Sequence, residues 1–400
     1  RRGCEIMAKE EKKAPKLRFN GYTNDWERKK LGDVANSYIN GGTPDTQNKN
    51  YWIGDIPWIQ SSDLKNDDIW NVNINKYITN KAVNDSAAKL IPANSIAIVT
   101  RVGVGKLAYM SQEYSTSQDF LSLVDIKEDL IFIMYMLYFK ISKVSSSLQG
   151  TSIKGITKKE LLNLSISIVN NTAEQNRIGQ VFKILDNSIN LHERKYEELT
   201  LIKKALLQKL FPKKDGFKPE VRYKNFNDAW EQRKLGEVVE RFDNLRIPVT
   251  SSKREKGITP YYGANGIQDY VQGYTHDGEF VLVAEDGAND LQNYPVHYVN
   301  GKVWVNNHAH VLQGKNKMVD NLFLVNAIKQ IKIETYLVGG SRAKLNADVM
   351  MKLPIKVPTF NEQQRLGKYF ARLDSLITLH QCKLEKLKQL KKFLLQNMFI

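Results

Sequence analysis

Two acidic residues and a lysine form the chain's best match to a catalytic pattern. Pro44-Asp45 is followed by Asp63-Leu-Lys65, which fits the loose PD…(D/E)xK spacing in which two carboxylates and a lysine converge on a magnesium ion. The pattern is short and arises often by chance, and the second half of the chain carries no copy of it. A magnesium-dependent endonuclease using Asp45, Asp63 and Lys65 is therefore the alternative hypothesis, not the leading one.

Other catalytic or metal-binding patterns are weaker. His308 and His310 would share one face of a strand, but they lack obvious further metal ligands. Gly103 and Gly105 have no third glycine at the spacing of a dinucleotide-binding loop. The sequence contains no P-loop, no GxSxG motif and no (N/D)PP(Y/F) tetrapeptide of an adenine methyltransferase. We therefore expect no catalytic residue, no metal ion and no cofactor in this chain.

Composition favours a polyanionic partner. Lys and Arg number 59 against 43 Asp and Glu, which gives a net charge of +16. Such an excess binds nucleic acid through release of counterions, although charge alone does not separate DNA from RNA or an acidic membrane. The 400 residues are too many for one ordinary core and suit two domains.

The two cysteines indicate a reducing compartment, and the lengths of the apolar runs argue against a membrane helix. Cys4 and Cys382 stand at opposite ends and form neither a disulfide framework nor a metal spacing. No apolar run approaches the roughly 18 residues of a membrane helix. Residues 1–13 lack an apolar signal region and read as a flexible leader, with Met7 as a candidate initiator. We expect a cytoplasmic protein.

One long segment occurs twice. Residues 174–211 and 362–399 share 19 identities in 38 positions at an offset of 188. A second pair, 14–38 and 218–242, shares 8 identities in 25 positions at an offset of 204. The bodies between the paired segments show no clear similarity. The chain is therefore a frame, a variable body and a helix, followed by the same order again.

The repeated segment predicts a coiled coil. Positions seven residues apart carry apolar side chains or histidine in both copies, and the seam residues are Leu185, His192, Leu199 and Leu206, with Leu373, His380, Leu387 and Leu394. About 38 residues give a helix roughly 57 Å long. Two matched helices in one chain pair most simply with each other, antiparallel. The alternative is that each helix packs on its own domain.

These observations predict an α+β fold with two globular domains, two long helices forming an antiparallel coiled coil, and a pseudo-twofold internal repeat. The predicted boundaries are a leader at 1–13, a first domain at 14–170, a first helix at 171–212, a linker at 213–217, a second domain at 218–358 and a second helix at 359–400.

Polar loops in the two bodies are candidate DNA contacts, because amide, hydroxyl and basic side chains read base edges and hold phosphates. The candidates in the first body are Thr43, Ser61, Ser62, Arg101, Lys106, Gln118, Ser152 and Lys154. Those in the second are Tyr261, Tyr262, Asn265, Gln268, Asn306, Asn307, His308, Ser341, Arg342 and Lys344.

From about Pro15 to Phe399 the chain resembles the specificity subunit of a type I restriction–modification system. The resemblance rests on a "KLG(D/E)V" motif that opens each body, on "GGTP" and "IPWI" in the first body, on "TPYYGANGI" and "HAHVL" in the second, and on an "EQ.R" start of each helix. Any one of these elements is weak, but their combination in duplicate is specific.

The resemblance implies a non-catalytic DNA reader with two target recognition domains. Such a subunit binds double-stranded DNA, docks two methylating subunits that use S-adenosylmethionine to modify N6 of adenine, and joins motor-nuclease subunits that use ATP and magnesium. It implies a bipartite target whose halves are separated by a fixed gap, and no membrane partner. A third hypothesis, a coiled-coil adaptor that does not touch nucleic acid, predicts no binding to labelled duplex.

Overall fold

The chain forms two compact units. The computed structural model describes residues 14–148, 155–339 and 343–400. The first unit consists of the chain up to His192 together with Lys383–Ile400, and the second unit is Glu193–Cys382. Each long helix therefore contributes residues to both units, so the units cut across the predicted domain boundaries.

The first unit contains the first body and its flanking helices. Its strands are β1 (Glu27–Lys30), β2 (Ala35–Asn40), β3 (Ile56–Ile59), β4 (Lys76–Ile78), β5 (Ser95–Val99), β6 (Leu107–Met110), β7 (Ser115–Thr116), β8 (Phe120–Ile126) and β9 (Ser165–Ile168). Its helices are α1 (Asn80–Asp85), α2 (Leu130–Leu148), α3 (Lys158–Leu162) and the first half of α4 (Thr172–Leu210).

The second unit contains the second body. Its strands are β10 (Glu231–Lys234), β11 (Val239–Arg241), β12 (Lys256–Gly263), β13 (Gly266–Val271), β14 (His276–Ala284), β15 (Val296–Val305), β16 (Ala309–Gly314) and β17 (Pro354–Val357). Its helices are the end of α4, then α5 (Leu235–Val238), α6 (Asn321–Lys329), α7 (Ala347–Met350) and the first part of α8 (Phe360–Met398), whose end belongs to the first unit.

The two bodies share one topology although their sequences have diverged. The first body has a sheet in the order β2-β8-β5-β6, and the second has β11-β16-β14-β15 in the corresponding places, with antiparallel neighbours in both. Each body adds one parallel pair, β3 with β7 and β12 with β15. Loops at matching places in the two sheets can therefore do the same job with different residues.

Alternation along the strands builds two apolar layers in each body. On β14, Val281 and Val283 face the layer that holds α6, while Phe280 and Leu282 face the layer on the opposite side of the sheet. Successive side chains of a strand point to opposite faces, so a strand buried on both sides reads as a continuous apolar run. Helix α2 covers the first sheet in the same way, with Phe132 fully buried.

The two long helices pack antiparallel within each unit. In the first unit, Asp186 of α4 pairs with Lys391 of α8, and Phe182 packs on Phe399 with ring centroids 5.6 Å apart. The contact partner on α8 has a higher residue number where the residue on α4 has a lower one, so the two helices run in opposite directions. In the second unit the same positions of the repeat exchange roles, because Lys203 of α4 pairs with Asp374 of α8.

The end of each helix completes the core of the unit that contains the opposite repeat. Phe399 lies against Trp26 and Phe132 in the first unit, at centroid distances of 6.3 and 5.6 Å. Phe211 occupies the matching place in the second unit, 5.5 Å from Trp230 and 5.6 Å from Phe323. Buried aromatic side chains dominate core energetics, so each unit depends on the helix end that the opposite repeat supplies.

An arginine from each frame segment fastens the start of each long helix. Arg18 binds both oxygens of Glu174, at 2.6 and 2.8 Å, and Arg222 binds both oxygens of Glu362, at 2.7 and 2.6 Å. Both glutamates are buried and lie in the first turn of their helix, where a negative charge also favours the helix dipole.

Replacing Arg222 with Ala should destabilise the second unit by about 3–5 kcal/mol, because it leaves the Glu362 carboxylate, 1% exposed, buried without its partner. The matched control is Arg233→Ala, which removes an exposed pair with Glu231 and should cost about 0–1 kcal/mol. Thermal unfolding followed by circular dichroism measures both changes. Equal losses in the two variants would contradict the anchoring role.

A glycine in each long helix allows the close approach of a neighbouring helix. A Cβ added at Gly367 would lie 2.7 Å from the Phe323 amide nitrogen and 2.7 Å from Asp320 Oδ1, at the start of α6. At Gly179, the same position of the repeat, a Cβ would lie 3.0 Å from the Phe132 amide nitrogen. Only glycine, which has no side chain, permits the close approach of α8 to α6 at Gly367 and of α4 to α2 at Gly179.

Gly367→Ala should therefore destabilise the protein by about 1–3 kcal/mol, although alanine favours an isolated helix by about 1 kcal/mol. Gly179→Ala is the matched comparison and should cost less, since its closest contacts are looser. Denaturant unfolding measures both. A stabilising effect of Gly367→Ala would show that the start of α6 shifts easily, against the rigid packing described above.

The predicted fold class, α+β with two bodies and two long helices, is confirmed. Of the predicted seam, Leu185, Leu387 and Leu394 belong to the core of the first unit, and Leu199, Leu206 and Leu373 belong to that of the second, while His192 and His380 are half-buried. Within the described ranges, no helix has the length and apolarity required to cross a membrane.

Candidate nucleic-acid interface

In the first unit, the predicted reading loops meet at one end of the body. Thr43 donates its hydroxyl hydrogen to Gln118 Oε1 at 2.6 Å, and Lys106 donates to the carbonyl oxygen of Ser61 at 2.9 Å. The amide of Ile156, just after the predicted loop 150–154, donates to the carbonyl oxygen of Thr100, next to Arg101. Strands that run in alternating directions bring these loops together from distant parts of the sequence.

A groove of about 870 Å³ lies among these loops. Its polar lining includes Thr43, Gln60, Ser61, Ser62, Asn75, Lys76 and Gln118, and its apolar lining includes Trp52, Ile53, Trp58, Tyr77 and Val102. The amide, hydroxyl and ammonium groups can form the hydrogen bonds by which proteins read base edges and bind phosphates. We call this surface the first-body groove.

Two tryptophans build the wall of the first-body groove. Trp58 is buried and donates its indole hydrogen to the carbonyl oxygen of Gly42 at 3.1 Å, and Trp52 donates to the carbonyl oxygen of Asp45 at 3.1 Å. Their rings meet edge to face at 5.0 Å. The Lys76 ammonium lies 5.4 Å from the Trp58 ring, a distance typical of a cation–π contact.

The structure gives the acidic residues of the nuclease pattern structural roles. Asp63 is 5% exposed, and its Oδ2 accepts a hydrogen bond from the Gln60 amide at 2.9 Å within a short capping arrangement. Asp45 Oδ1 accepts from the Gln47 amide at 2.9 Å, which closes a local turn. Both carboxylates hold loops of the first-body groove, and this arrangement gives the endonuclease hypothesis no support.

The predicted loops of the second unit also converge. Asn265 donates to the carbonyl oxygen of Gly287 at 2.9 Å, and its own Oδ1 accepts from the Asn289 amide at 2.9 Å. His308 Nδ1 contacts Asp286 Oδ1, which links the loop after β15 to the loop after β14. The two bodies therefore gather matching loops at matching ends of the same topology.

An ion-pair network fastens the last of these loops. Lys344 Nζ lies 2.8 Å from Glu285 Oε1, and Arg246 Nη1 lies 2.6 Å from Glu285 Oε2. His310 is buried, with Nδ1 2.7 Å from Asp243 Oδ2 and Nε2 2.8 Å from the carbonyl oxygen of Leu345. The network holds the loop that ends at Leu345 against strands β14 and β16.

Asp243, Glu285 and His310 place ligand atoms within 4.8 Å of one another, which is the single such group in the part of the chain that the structure describes. The Arg246 guanidinium and the Lys344 ammonium already balance the two carboxylates. A cation site needs uncompensated negative charge, so the geometry supports an ion-pair network here and gives no support to a metal centre.

A family model described as the type I restriction modification DNA specificity domain matches residues 23–201 and again residues 227–389. The chain belongs to this family. The two matches follow the two repeats, and each contains one body with the loops described above.

Similar proteins agree with this assignment. A putative type I restriction enzyme specificity subunit of Haemophilus influenzae is 45% identical over 146 residues, 36% of this chain and 38% of that protein. The MjaIX specificity subunit of Methanocaldococcus jannaschii is 26% identical over 317 residues, 72% of each chain. The crystal structure of a type I S subunit from M. genitalium superposes with a TM-score of 0.74 at 17% identity, covering 97% of this chain and 99% of that one, which shows a shared fold.

Among the predicted DNA contacts of this specificity-family chain, two are buried. Tyr261 is buried, and its hydroxyl accepts from the Val249 amide at 3.0 Å and donates to the Val249 carbonyl oxygen at 3.2 Å. Asn306 is buried and its Oδ1 accepts from the His308 amide at 2.8 Å. Their burial withdraws both from the candidate surface and assigns them to shaping the loops.

The remaining candidates divide by exposure. Exposed side chains are those of Ser62, Arg101, Gln118, Asn265, Gln268, Asn307 and His308, and half-buried ones are those of Thr43, Ser61, Lys106, Tyr262 and Lys344. Ser152, Lys154, Ser341 and Arg342 lie outside the described residues. The contacts of the exposed and half-buried residues with DNA stay a prediction.

Sequence reasoning missed several residues of this surface. Ile53, Asn75 and Lys76 line the first-body groove although no loop pattern marked them. Arg246 and Glu285 fasten the second set of loops from positions 39 residues apart in the chain. Since the partners of Arg246 and Glu285 are distant in sequence, only the folded sheet could reveal them. For Asn75 and Lys76, the polar residues of the Asn-Ile-Asn-Lys stretch at 73–76 were a local signal.

The Glu285 network predicts a pH-dependent stability. Burial would raise the pKa of Glu285, but the Lys344 ammonium and the Arg246 guanidinium outweigh it, so the pKa lies below its ordinary value. Because the pKa of Glu285 is lower in the folded chain than in the unfolded chain, its ionisation stabilises the fold. The stabilisation is fully present above the unfolded pKa of about 4.3 and is lost as the pH falls through the folded pKa.

Glu285→Gln should therefore lower the melting temperature at pH 7. This deficit should shrink as the pH falls below the unfolded pKa of about 4.3 towards the lowered folded pKa, below which wild-type Glu285 is protonated as well. Thermal melts from pH 3 to pH 7 measure the difference. Glu255→Gln, at an exposed position, is the control and should track the wild type. A deficit that stays constant over the whole range would show that the network charge does not stabilise the loops.

Proposed function

We propose that this chain is the DNA-recognition subunit of a type I restriction–modification complex. Each unit reads one half of a bipartite target, and partner subunits carry out N6-adenine methylation and ATP-dependent cleavage. The observation that carries the proposal is the convergence, in two bodies of one topology, of polar loops that differ in sequence at matching ends. One frame that presents two unlike loop sets suits a target with two unlike halves.

The charge of the chain supports a DNA partner. The net charge of +16 favours phosphate contacts. So do Lys76, which lines the first-body groove, and Arg101 and Lys106, which belong to the turn that carries Val102. Such contacts give affinity without specificity, while amide side chains such as Gln118 and Asn265 can distinguish bases. We infer binding that weakens steeply as salt concentration rises.

The chain itself is assigned no catalytic step. Asp45 and Asp63 hold loops, and Arg246 and Lys344 neutralise the cluster with metal-like geometry that the described residues contain. We propose that S-adenosylmethionine, ATP and magnesium bind to two methylating subunits and to motor-nuclease subunits. Adding magnesium and plasmid to the purified chain should produce no cleavage. Cutting that disappears in Lys65→Ala, an exposed position of the pattern, would revive the nuclease hypothesis.

Exposed apolar side chains on the long helices support docking of the methylating subunits. In the first unit they include Leu191 and Leu390, and in the second unit the same positions of the repeat, Leu379 and Ile202. Several large exposed apolar side chains on a helix pair are typical of protein interfaces. Because the pattern occurs once in each unit, it supports two equivalent docking sites and hence two methylating subunits.

The decisive prediction concerns the host's methylation pattern. A genome-wide map of N6-methyladenine should lose one bipartite motif when the gene is deleted and regain it on complementation. Complementation with Thr43→Ala/Gln118→Ala should alter methylation through the half-site read by the first unit, while Asn265→Ala should act through the other half. A map that is unchanged by deletion, with the partner genes expressed, would contradict the proposal.

A further inference from the structure

The first-body groove combines base-reading polar groups with exposed apolar side chains. Among described residues of the first body, four large apolar or aromatic side chains are exposed, and three of them, Ile53, Tyr77 and Val102, line the groove. Ile53 is 76% exposed and Val102 is 68% exposed, the two highest values in that body. Apolar surface concentrated at one place in this way marks a binding site rather than random surface composition.

The placement of Val102 is imposed by the backbone. It stands in the turn between β5 and β6, just before Gly103 and Gly105, whose φ angles of 94° and 113° favour glycine. The Lys106 bond to Ser61 fastens the far side of this turn to the loop after β3. The chain therefore holds an isopropyl group in solvent at the groove, where it covers no part of its own core.

The neighbouring polar groups define what an apolar partner must carry. The side-chain oxygen of Gln118 accepts a hydrogen bond from the Thr43 hydroxyl. The side-chain nitrogen of Gln118 is therefore available as a donor on the groove wall. Lys76 adds an ammonium donor, held beside Trp58. The same lining also contains the Asp119 carboxylate, which accepts hydrogen bonds. The ligand group that matches the two donors is a hydrogen-bond acceptor next to a small apolar group. In the major groove of DNA, thymine alone offers this pair, as its O4 atom and its C5 methyl group.

We propose that Ile53 and Val102 contact thymine C5 methyl groups in the half-site read by the first unit, and so determine its specificity together with Gln118. This inference rests on the proposed function and names the base that the groove selects. Each contact removes a methyl group from water, which is worth about fourfold in affinity.

The test replaces thymine with deoxyuridine, which lacks only the methyl group. The complex, purified from the host through a tag on this chain, is titrated with target duplexes in which each thymine is replaced in turn. One or two thymines of one half-site should show a loss of about fourfold. Replacement within the non-specific gap should have no effect.

Variants then assign the contacts. In Val102→Ala or Ile53→Ala the thymine and deoxyuridine duplexes should bind equally at the position that each residue contacts. Leu90→Ala, which removes an exposed apolar side chain of the same body outside the groove, should keep the wild-type difference. Because Ile53 and Val102 lie at the surface, their truncation leaves the core of the unit intact.

Three outcomes would overturn the inference. The first is a half-site of the first unit that contains no thymine, and the second is the absence of a deoxyuridine effect at every position. The third is a loss of affinity in Val102→Ala and Ile53→Ala that is the same for the thymine and deoxyuridine duplexes, so that the difference between them persists. That result would assign these residues to a wedge against base stacking. Failure of the proposed function looks different, because the complex would then bind an unmodified target duplex and a scrambled duplex equally.

Discussion

Neither repeat of this chain can close its own core. The aromatic cluster of the first unit is completed by Phe399 from the end of the second repeat, and that of the second unit by Phe211 from the end of the first. Each body is therefore folded around a helix end supplied by the opposite half of the sequence. This exchange makes both long helices obligatory parts of both units.

The long helices and the strand order are the same in both units, while the loops that connect the strands differ. The ion pair between Asp186 and Lys391 in the first unit recurs with reversed roles as Lys203 and Asp374 in the second. The strands between the frames keep their order, but their connecting loops are held by different means, such as Trp58 on one side and the Glu285 network on the other. Recognition chemistry can thus change without disturbing the core.

The chemistry of the site follows from this division. Asp63, which looks catalytic in the sequence, accepts a backbone hydrogen bond that holds a loop. The apparent metal cluster around His310 forms ion pairs with basic side chains instead. In the part of the chain that the structure describes, the loops present hydrogen-bond donors, acceptors and apolar side chains. Such a set can read a duplex.

The sequence by itself determined the duplication, the two long helices, the basic charge and the loops that meet at the reading ends. These features are local or periodic, so residue spacing reports them directly. Tertiary structure alone decided that Tyr261 and Asn306 are buried, that Ile53 and Val102 are exposed at the groove, and that Phe211 and Phe399 exchange places between the repeats. Burial and pairing depend on residues far apart in the chain, and a sheet brings those together only when it folds.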